Sequence, residues 1–148
     1  MSVKLPESVL VVVHTAALDV LLLERAARPG YWQSVTGSLD RLDEPPAGAA
    51  RREVEEETGI GRDAGRLEDW NIVNCFEIYA QWRGRFAPGV THNLEHVFSL
   101  LLPQRTPVRL APDEHSAFEW LPWREAAQRC FSWTNREAIA RLGRRAAA

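Results

Sequence analysis

Four glutamates crowd into the segment "REVEEETG", at positions 53, 55, 56 and 57. On a helix, residues three and four apart share a face, so Glu53, Glu56 and Glu57 would bring their carboxylates together over one turn. Like charges this close raise each other's pKa unless a cation lies between them. Mg²⁺ prefers oxygen ligands and keeps coordination positions open for water and phosphate oxygens. The spacing therefore indicates a magnesium site, from which Glu55 points away.

The alternative is a solvated helix face, and a run of glutamates taken alone favours that interpretation. Two features weigh against it. The glutamates lie where the helix would end, and the helix dipole disfavours negative charge there, so a compensating charge is expected. Arg52 precedes the cluster and can orient a carboxylate through a bidentate pair.

The element that must carry these glutamates is a helix over residues 46–58. Pro45 and Pro46 fit a first helical turn, where the missing N–H costs nothing. The segment "AGAARREVEEET" consists mainly of good helix formers. Gly59 is placed to end the helix in a left-handed cap.

Strands are predicted on both sides of this helix. "ESVLVVVHT" (7–15) and "VLLLERA" (20–26) predict a hairpin, and "YWQSVTG" (31–37) a short extended segment. After the helix, "DWNIVNCFEIYAQWRGRF" and "NLEHVFSLLL" predict two long strands joined by the turn "APGVTHN". "SAFEWL" predicts a further strand and "PWREAAQRC" a short helix. The last helix, "TNREAIARLG", is predicted to open with a capping box from Thr134 to Glu137 and to end at Gly143. This order predicts an α+β fold, a mixed β-sheet flanked by helices in an α/β/α sandwich.

Length and composition limit the function further. The 148 residues suit a single domain over 1–148, and a formal net charge of −2 argues against nucleic-acid binding. Neither a secretory signal nor an apolar run long enough to span a bilayer is present, so no membrane partner is expected. Cys75 and Cys130 are far apart and are expected to be reduced thiols. These observations favour a cytoplasmic protein, a monomer or weak homo-oligomer.

The residues around the glutamates form a longer pattern. Gly37, Glu44 and "REVEEETGI" resemble the Nudix box, G-x5-E-x7-R-E-U-x-E-E-x-G-U, in which U is apolar. Residues from Glu44 onwards match the box in register, whereas Gly37 lies one residue too far from Glu44. Either the loop carries a one-residue insertion, or Asp43 takes the place of the first glutamate.

Segments outside the box extend the resemblance. "YWQSVTGS", "RFAPGVTHN", "DEH…FEWL" and "SWTNREAI" are similar to a bacterial branch of the Nudix family that acts in folate synthesis. The resemblance implies the Nudix fold and a Mg²⁺-dependent pyrophosphohydrolase, with Mn²⁺ as a substitute. The implied substrate is 7,8-dihydroneopterin triphosphate, cut to the monophosphate and pyrophosphate.

Two other functions compete with this one. The first is a pyrophosphatase for (deoxy)nucleoside triphosphates such as dATP, which would use the same metal site and a different base pocket. The second is a non-catalytic Nudix module that binds a nucleotide. Such modules usually lose a box glutamate, and Glu53, Glu56 and Glu57 are all present, so the enzyme is favoured.

The resemblance also implies roles for particular residues. It predicts four metal-binding and catalytic carboxylates, Glu53, Glu56, Glu57 and Glu114, the last of which acts as a ligand or as the base. Lys4 and Arg25 match substrate-contact positions, where Arg25 can grip phosphate through two N–H groups and Lys4 acts as a point charge. Without the resemblance, Glu114, Lys4 and Arg25 would each pass for surface residues.

A pterin is flat and needs an aromatic wall with polar partners. "FEIY" offers one, with Phe76 and Ile78 on one side of a strand and Glu77 and Tyr79 on the other. Core packing is the alternative for most aromatic residues. Further candidates near the ligand are the Thr36 hydroxyl beside Gly37, Ser132 with Trp133 and Asn135, and Trp32, whereas His115 is expected to be structural or exposed.

Overall fold

A computed structural model describes residues 3–147 of the chain. Its strands are β1 (Glu7–Thr15), β2 (Asp19–Arg25), β3 (Trp32–Gln33), β4 (Val35–Ser38), β5 (Arg66–Glu77), β6 (His92–Leu102) and β7 (His115–Pro122). Its helices are α1 (Pro46–Thr58), α2 (Trp123–Arg129) and α3 (Trp133–Ala147), and a 3₁₀ helix covers Ala80–Arg85. Within residues 3–147, each helix is too short or too polar to cross a bilayer.

The strands form one mixed sheet, as the sequence predicts. Its main path runs β3-β2-β1-β6-β5, while β4 pairs with β1 and β7 pairs with β2. The parallel pair β1–β6 lies at the centre and runs from Glu7 opposite Leu94 to Thr15 opposite Leu102. Neighbouring pairs are antiparallel, including the predicted β1–β2 hairpin.

Helices cover both faces of this sheet because its central strands are apolar on both sides. On one face, Val9, Val11 and Phe98 pack against Val54 of α1. On the other face, Leu10 and Val12 belong to the cluster that includes residues of α2 and α3. Successive residues of a strand point to opposite faces, so "VLVVV" supplies both layers. The predicted sandwich is thus confirmed.

Helix α1 has the predicted bounds. Pro46 occupies its first turn, and Gly59 closes it at φ 77°, where its N–H donates to the Glu55 carbonyl. A left-handed residue at this position favours glycine because a Cβ would be strained. The cap fixes where the helix stops and therefore the turn on which Glu53, Glu56 and Glu57 lie.

The predicted strand over "DWNIVNCFEIYAQWRGRF" is wrong in its second half. β5 ends at Glu77, which pairs with His92, the first residue of β6. Beyond this pair no strand partner extends the ladder, and the chain forms the 3₁₀ helix Ala80–Arg85 instead. The periodicity of the aromatic residues imitated a strand, and the missing partner decided the outcome.

The predicted ends of the last helix are also wrong. α3 begins at Trp133, and the Ser132 hydroxyl accepts from the Asn135 backbone N–H, so Ser132 caps the helix in place of Thr134. Glu137 pairs with arginines one and two turns later rather than with the helix start. Gly143 lies inside the helix, where a Cβ would overlap the Trp123 ring.

Candidate active site

One cavity of about 660 Å³ collects chemistry from distant parts of the sequence. A volume of this order suits a small-molecule site. The residues predicted to bind metal or substrate all line it: Lys4, Arg25, Thr36, Glu53, Glu56, Glu57, Phe76, Glu77, Ile78, Tyr79, Glu114 and Ser132. Their roles stay predictions, but the fold brings them together.

The α1 carboxylates lie at one end of the cavity. Glu57 is only 2% exposed, and its Oε1 atom has no hydrogen-bond partner. Burial, reinforced by the neighbouring Glu53 carboxyl and by Glu114, raises the pKa of Glu57 well above its usual value. Burial also raises the pKa of Glu53. Two buried carboxyls that face each other with so little compensation favour a cation or a shared proton between them.

Arg52 organises the carboxylates around it. Its Nε and Nη2 atoms donate to the two oxygens of Glu44, at 2.9 and 3.1 Å. Its Nη1 donates to Glu53 at 2.8 Å and to Glu56 at 3.3 Å. The bond to Glu44 is the main cause that raises the Arg52 pKa and lowers the pKa of Glu44. Arg52 is therefore a permanent charge that fixes the carboxylates' orientation.

These contacts decide between the two alternatives for the irregular box loop. Glu44 is buried and also accepts from the Asp40 backbone N–H at 2.8 Å. Asp43 is exposed and pairs with Arg41 on the surface. The loop therefore carries the extra residue, and Glu44 keeps its place opposite Arg52.

Gly37 lets the sheet approach the carboxylates. A Cβ at Gly37 would overlap the carboxylate of Glu53. Here glycine is favoured by closeness rather than by backbone conformation, since a Cβ would push the Glu53 carboxylate aside. β4 thus forms a floor directly under the α1 carboxylates.

The donor set fits a divalent metal. An unpartnered buried oxygen on Glu57, beside the Glu53 carboxyl, is what a hard cation would satisfy. Within the described residues, no three acidic, histidine or cysteine side chains already stand in a coordinating group. Glu56 bonds to Arg52 instead. Ligation by Glu56 requires its carboxylate to turn away from that arginine.

Cations line the cavity beside the carboxylates. The pKa of Lys4 is lowered, first by partial burial of its amino group and then by the neighbouring charges of Arg85 and Arg25. The Arg25 guanidinium lies 4.7 Å from the centre of the Trp82 ring and donates to Gln33 at 3.3 Å. These cations suit a polyphosphate. The sequence predicted Lys4 and Arg25 but missed Arg85 and Trp82, which the incorrectly predicted strand concealed.

His115 is buried rather than exposed. Its Nε2 lies 3.9 Å from Glu57 Oε1 and 3.3 Å from the Gln33 side-chain nitrogen. Burial lowers the pKa of His115 to about 4, so the ring is neutral at pH 7. The prediction of a structural role agrees with this neutral, packed ring, although it borders the cavity.

An aromatic cluster forms another wall. The Trp82 ring lies 5.3 Å from that of Tyr79 and 5.8 Å from that of Phe131. Along "FEIY", Phe76 and Ile78 are more buried than their neighbours, as strand alternation predicts, yet all four residues border the cavity. The strand ends at Glu77, so the backbone turns and both sides reach the opening.

Trp32 was wrongly placed near the ligand. It packs against the core cluster under α2 and α3, beneath Arg129, and does not line the cavity. Strand alternation gives the reason, since the next residue, Gln33, is the one that points into the cavity. Trp133 and Asn135 do line it, as expected from "SWTN".

These observations define one cavity that joins the carboxylates of α1 to cations and aromatic side chains from other elements. The sequence model of the NUDIX domain matches residues 4–142, and the chain therefore belongs to the Nudix family. The family predicted from the box is confirmed. Nudix hydrolases generally need a divalent metal and act on small-molecule phosphate compounds.

Within the family, the chain is similar over nearly its whole length to proteins of one named activity. The chain is 42% identical to the dihydroneopterin triphosphate diphosphatase of Escherichia coli strain K12 over 92% of this chain and 91% of that protein. It is 37% identical to the Haemophilus influenzae protein of the same name, over 94% and 88%. The solved structure of the E. coli dihydroneopterin triphosphate pyrophosphohydrolase superposes with a TM-score of 0.88 at 40% identity, over 95% of this chain and 97% of that one.

Proposed function

We propose that the protein is a Mg²⁺-dependent pyrophosphohydrolase of 7,8-dihydroneopterin triphosphate. Water and the triphosphate would give dihydroneopterin monophosphate and pyrophosphate. One observation carries the proposal: a single cavity joins buried carboxylates, four cationic side chains, and an aromatic wall with polar partners. Relatives of that name match nearly the whole chain, including the regions outside the box.

The carboxylates would hold the metal. Glu53 and Glu57 supply the buried oxygens, and Glu56 and Glu114 complete the set from the rim. Bound Mg²⁺ would polarise phosphoryl oxygens and lower the pKa of a coordinated water. Arg52 keeps Glu53 in place, and neutral His115 packs beside Glu57 without adding a competing positive charge.

The cations would hold the triphosphate. Lys4, Arg25 and Arg85 offset the negative charge that the carboxylates alone would repel. Trp82 limits the motion of the Arg25 guanidinium, whose Nε has no protein partner. The Thr36 hydroxyl, which accepts from Gln33, lies where β4 approaches the ligand. Phosphate positioning would thus depend on residues from four separate segments.

The test is a side-by-side assay of 7,8-dihydroneopterin triphosphate, dATP and the other deoxynucleoside triphosphates in Mg²⁺, with products separated. We expect the highest kcat/KM for the pterin and release of pyrophosphate rather than phosphate. A higher kcat/KM for a nucleotide than for the pterin would instead indicate an enzyme that controls nucleotide pools. No hydrolysis of any triphosphate would support the non-catalytic module instead.

A further inference from the structure

Glu95 is a buried carboxyl in the cavity that the phosphate chemistry does not use. It lies on β6, is 4% exposed, and lines the cavity. Strand alternation places it on the same sheet face as Val97, which packs in the cluster with α3. The metal-binding carboxylates lie on α1, which covers the opposite face. Glu95 therefore belongs to the end of the cavity formed by the start of α3.

The surroundings of Glu95 are polar but neutral. The Asn74 amide donates to it at 3.5 Å, and the Thr134 hydroxyl also bonds to it. Burial raises its pKa, these two donors oppose the rise, and no charged side chain contributes. Asn93, two residues earlier on β6, donates to Ser8 and leaves its own Oδ1 buried without a partner. This end of the cavity thus holds a buried carboxylate that has only neutral donors, beside an amide oxygen of Asn93 that lacks a donor.

A ligand with adjacent N–H groups would satisfy these acceptors. The pyrimidinone ring of a pterin carries a ring N–H and a 2-amino group side by side, and guanine carries the same edge. A carboxylate can accept from both groups at once, and such bonds are about twice as strong as neutral ones. A phosphate or a carboxylate ligand would be repelled here, so the occupant is the ring.

We propose that Glu95 is the specificity-determining residue for the heterocycle, accepting hydrogen bonds from the ring N–H and the exocyclic amino group. The inference rests on the proposed function and assigns to its ring a residue that the Nudix box does not contain. Asn93 supplies a further acceptor beside it, and Thr134 and Asn74 hold the carboxylate in position. Glu95 would touch the substrate without contacting the metal or the phosphates.

The experiment compares Glu95→Gln with wild type on 7,8-dihydroneopterin triphosphate. The side-chain amide of Gln would place an N–H donor opposite an N–H donor of the ring, so KM should rise roughly 10- to 100-fold. The inhibition constant of inorganic tripolyphosphate, which has no ring, should stay within about twofold. Glu7→Gln is the matched control, because Glu7 lies on the neighbouring strand β1, pairs with His96 and does not line the cavity; it should leave both constants unchanged.

A second pair of substrates isolates the amino group. dGTP and dITP differ only in the 2-amino group, so wild type should favour dGTP in KM and Glu95→Gln should remove the preference. If Glu95→Gln does not fold, Glu95→Asp is the second variant, because it keeps the carboxylate but moves it away from the ring. It should raise the pterin KM and leave the tripolyphosphate inhibition constant unchanged.

Some outcomes would overturn the inference. An unchanged pterin KM would do so, as would equal rises in the pterin KM and the tripolyphosphate constant. Failure of the proposed function is a different result, visible in wild type as a poor rate on the pterin. The dGTP and dITP pair still tests Glu95 in that case.

Discussion

The two ends of the cavity are built in opposite ways. The metal end is dense with charge, and one short stretch of chain supplies most of it: Arg52, Glu53, Glu56 and Glu57 follow each other on α1. The ring end has fewer charges, among them the buried Glu95 carboxyl, and comes from β5, β6, Trp82 and the start of α3. In the proposed function, local spacing on a helix would therefore create the chemistry, whereas long-range strand pairing would create the selectivity.

The largest effect should come from Glu57→Gln, which breaks the metal end alone. The amide keeps the shape and loses the anionic ligand, so kcat should fall about 1000-fold. Pterin binding should persist, because the ring end is untouched. The measurement is kcat together with inhibition by dihydroneopterin, which has the ring but no phosphate.

Glu55→Gln serves as the control for this variant, since Glu55 pairs with Arg62 on the surface. It should retain wild-type turnover. Equal rates for Glu57→Gln and wild type would show that α1 is not the metal site.

A smaller loss is expected for Arg52→Lys, which tests the network that orients the carboxylates. Lysine cannot serve Glu44, Glu53 and the Ser38 carbonyl at once, and a buried pair that loses a partner costs about 3 kcal/mol. Unfolding by urea should show this loss. A Glu44→Gln, Arg52→Lys double mutant should lose less than the sum of the two single losses, and strict additivity would contradict the network.

Acid should lower the free energy of unfolding through His115, which lies beside Glu57. Its pKa is about 4 in the fold and about 6.5 when unfolded. A depressed histidine pKa contributes stability that is present above the unfolded pKa and is lost as the pH falls through the folded pKa. Wild type should therefore lose about 2 kcal/mol between pH 7 and pH 5 through this residue.

The comparison with His115→Gln isolates this contribution, because His14 also has a pKa lowered by burial. The raised carboxyl pKa values act with the opposite sign and are shared by both proteins. Parallel stability curves for wild type and His115→Gln over this range would contradict the assignment.

The smallest expected effect separates two glycines near α1. Gly37→Ala should lower kcat about tenfold, because its methyl group would displace the Glu53 carboxylate while the remaining ligands stay in place. Gly48→Ala, on α1, meets nothing within 4 Å and should raise stability by about 0.5–1 kcal/mol. If both variants keep full activity, the close approach of β4 has no role in ligand placement.

The same contrast explains how much the sequence could predict. α1 was predicted to the residue, because prolines, helix formers and Gly59 all act locally. The prediction that Glu53, Glu56 and Glu57 bind a metal rests on the same local spacing. Arg85 and Trp82 were missed because the end of β5 depends on where β6 begins, which is a pairing over many residues.

Glu95 was missed for a related reason. In "HNLEHVF" it looks like a surface residue of an alternating strand, and only the packing of α3 over that face buries it. A polar residue in line with Val97, on a strand buried on both sides, was the available signal. Whether such a residue faces core or ligand is decided by tertiary contacts alone.

The bridge between Lys4 and the 3₁₀ segment has a practical consequence. The Lys4 N–H donates to the Arg85 carbonyl at 2.8 Å, so the first described residues form part of the cavity's cationic wall. The far end of α3 is anchored elsewhere, where Arg145 pairs with Glu68. A purification tag, a surface linker or a fluorescent fusion therefore belongs after α3, because the same attachment before β1 would disturb the wall that we propose binds the triphosphate.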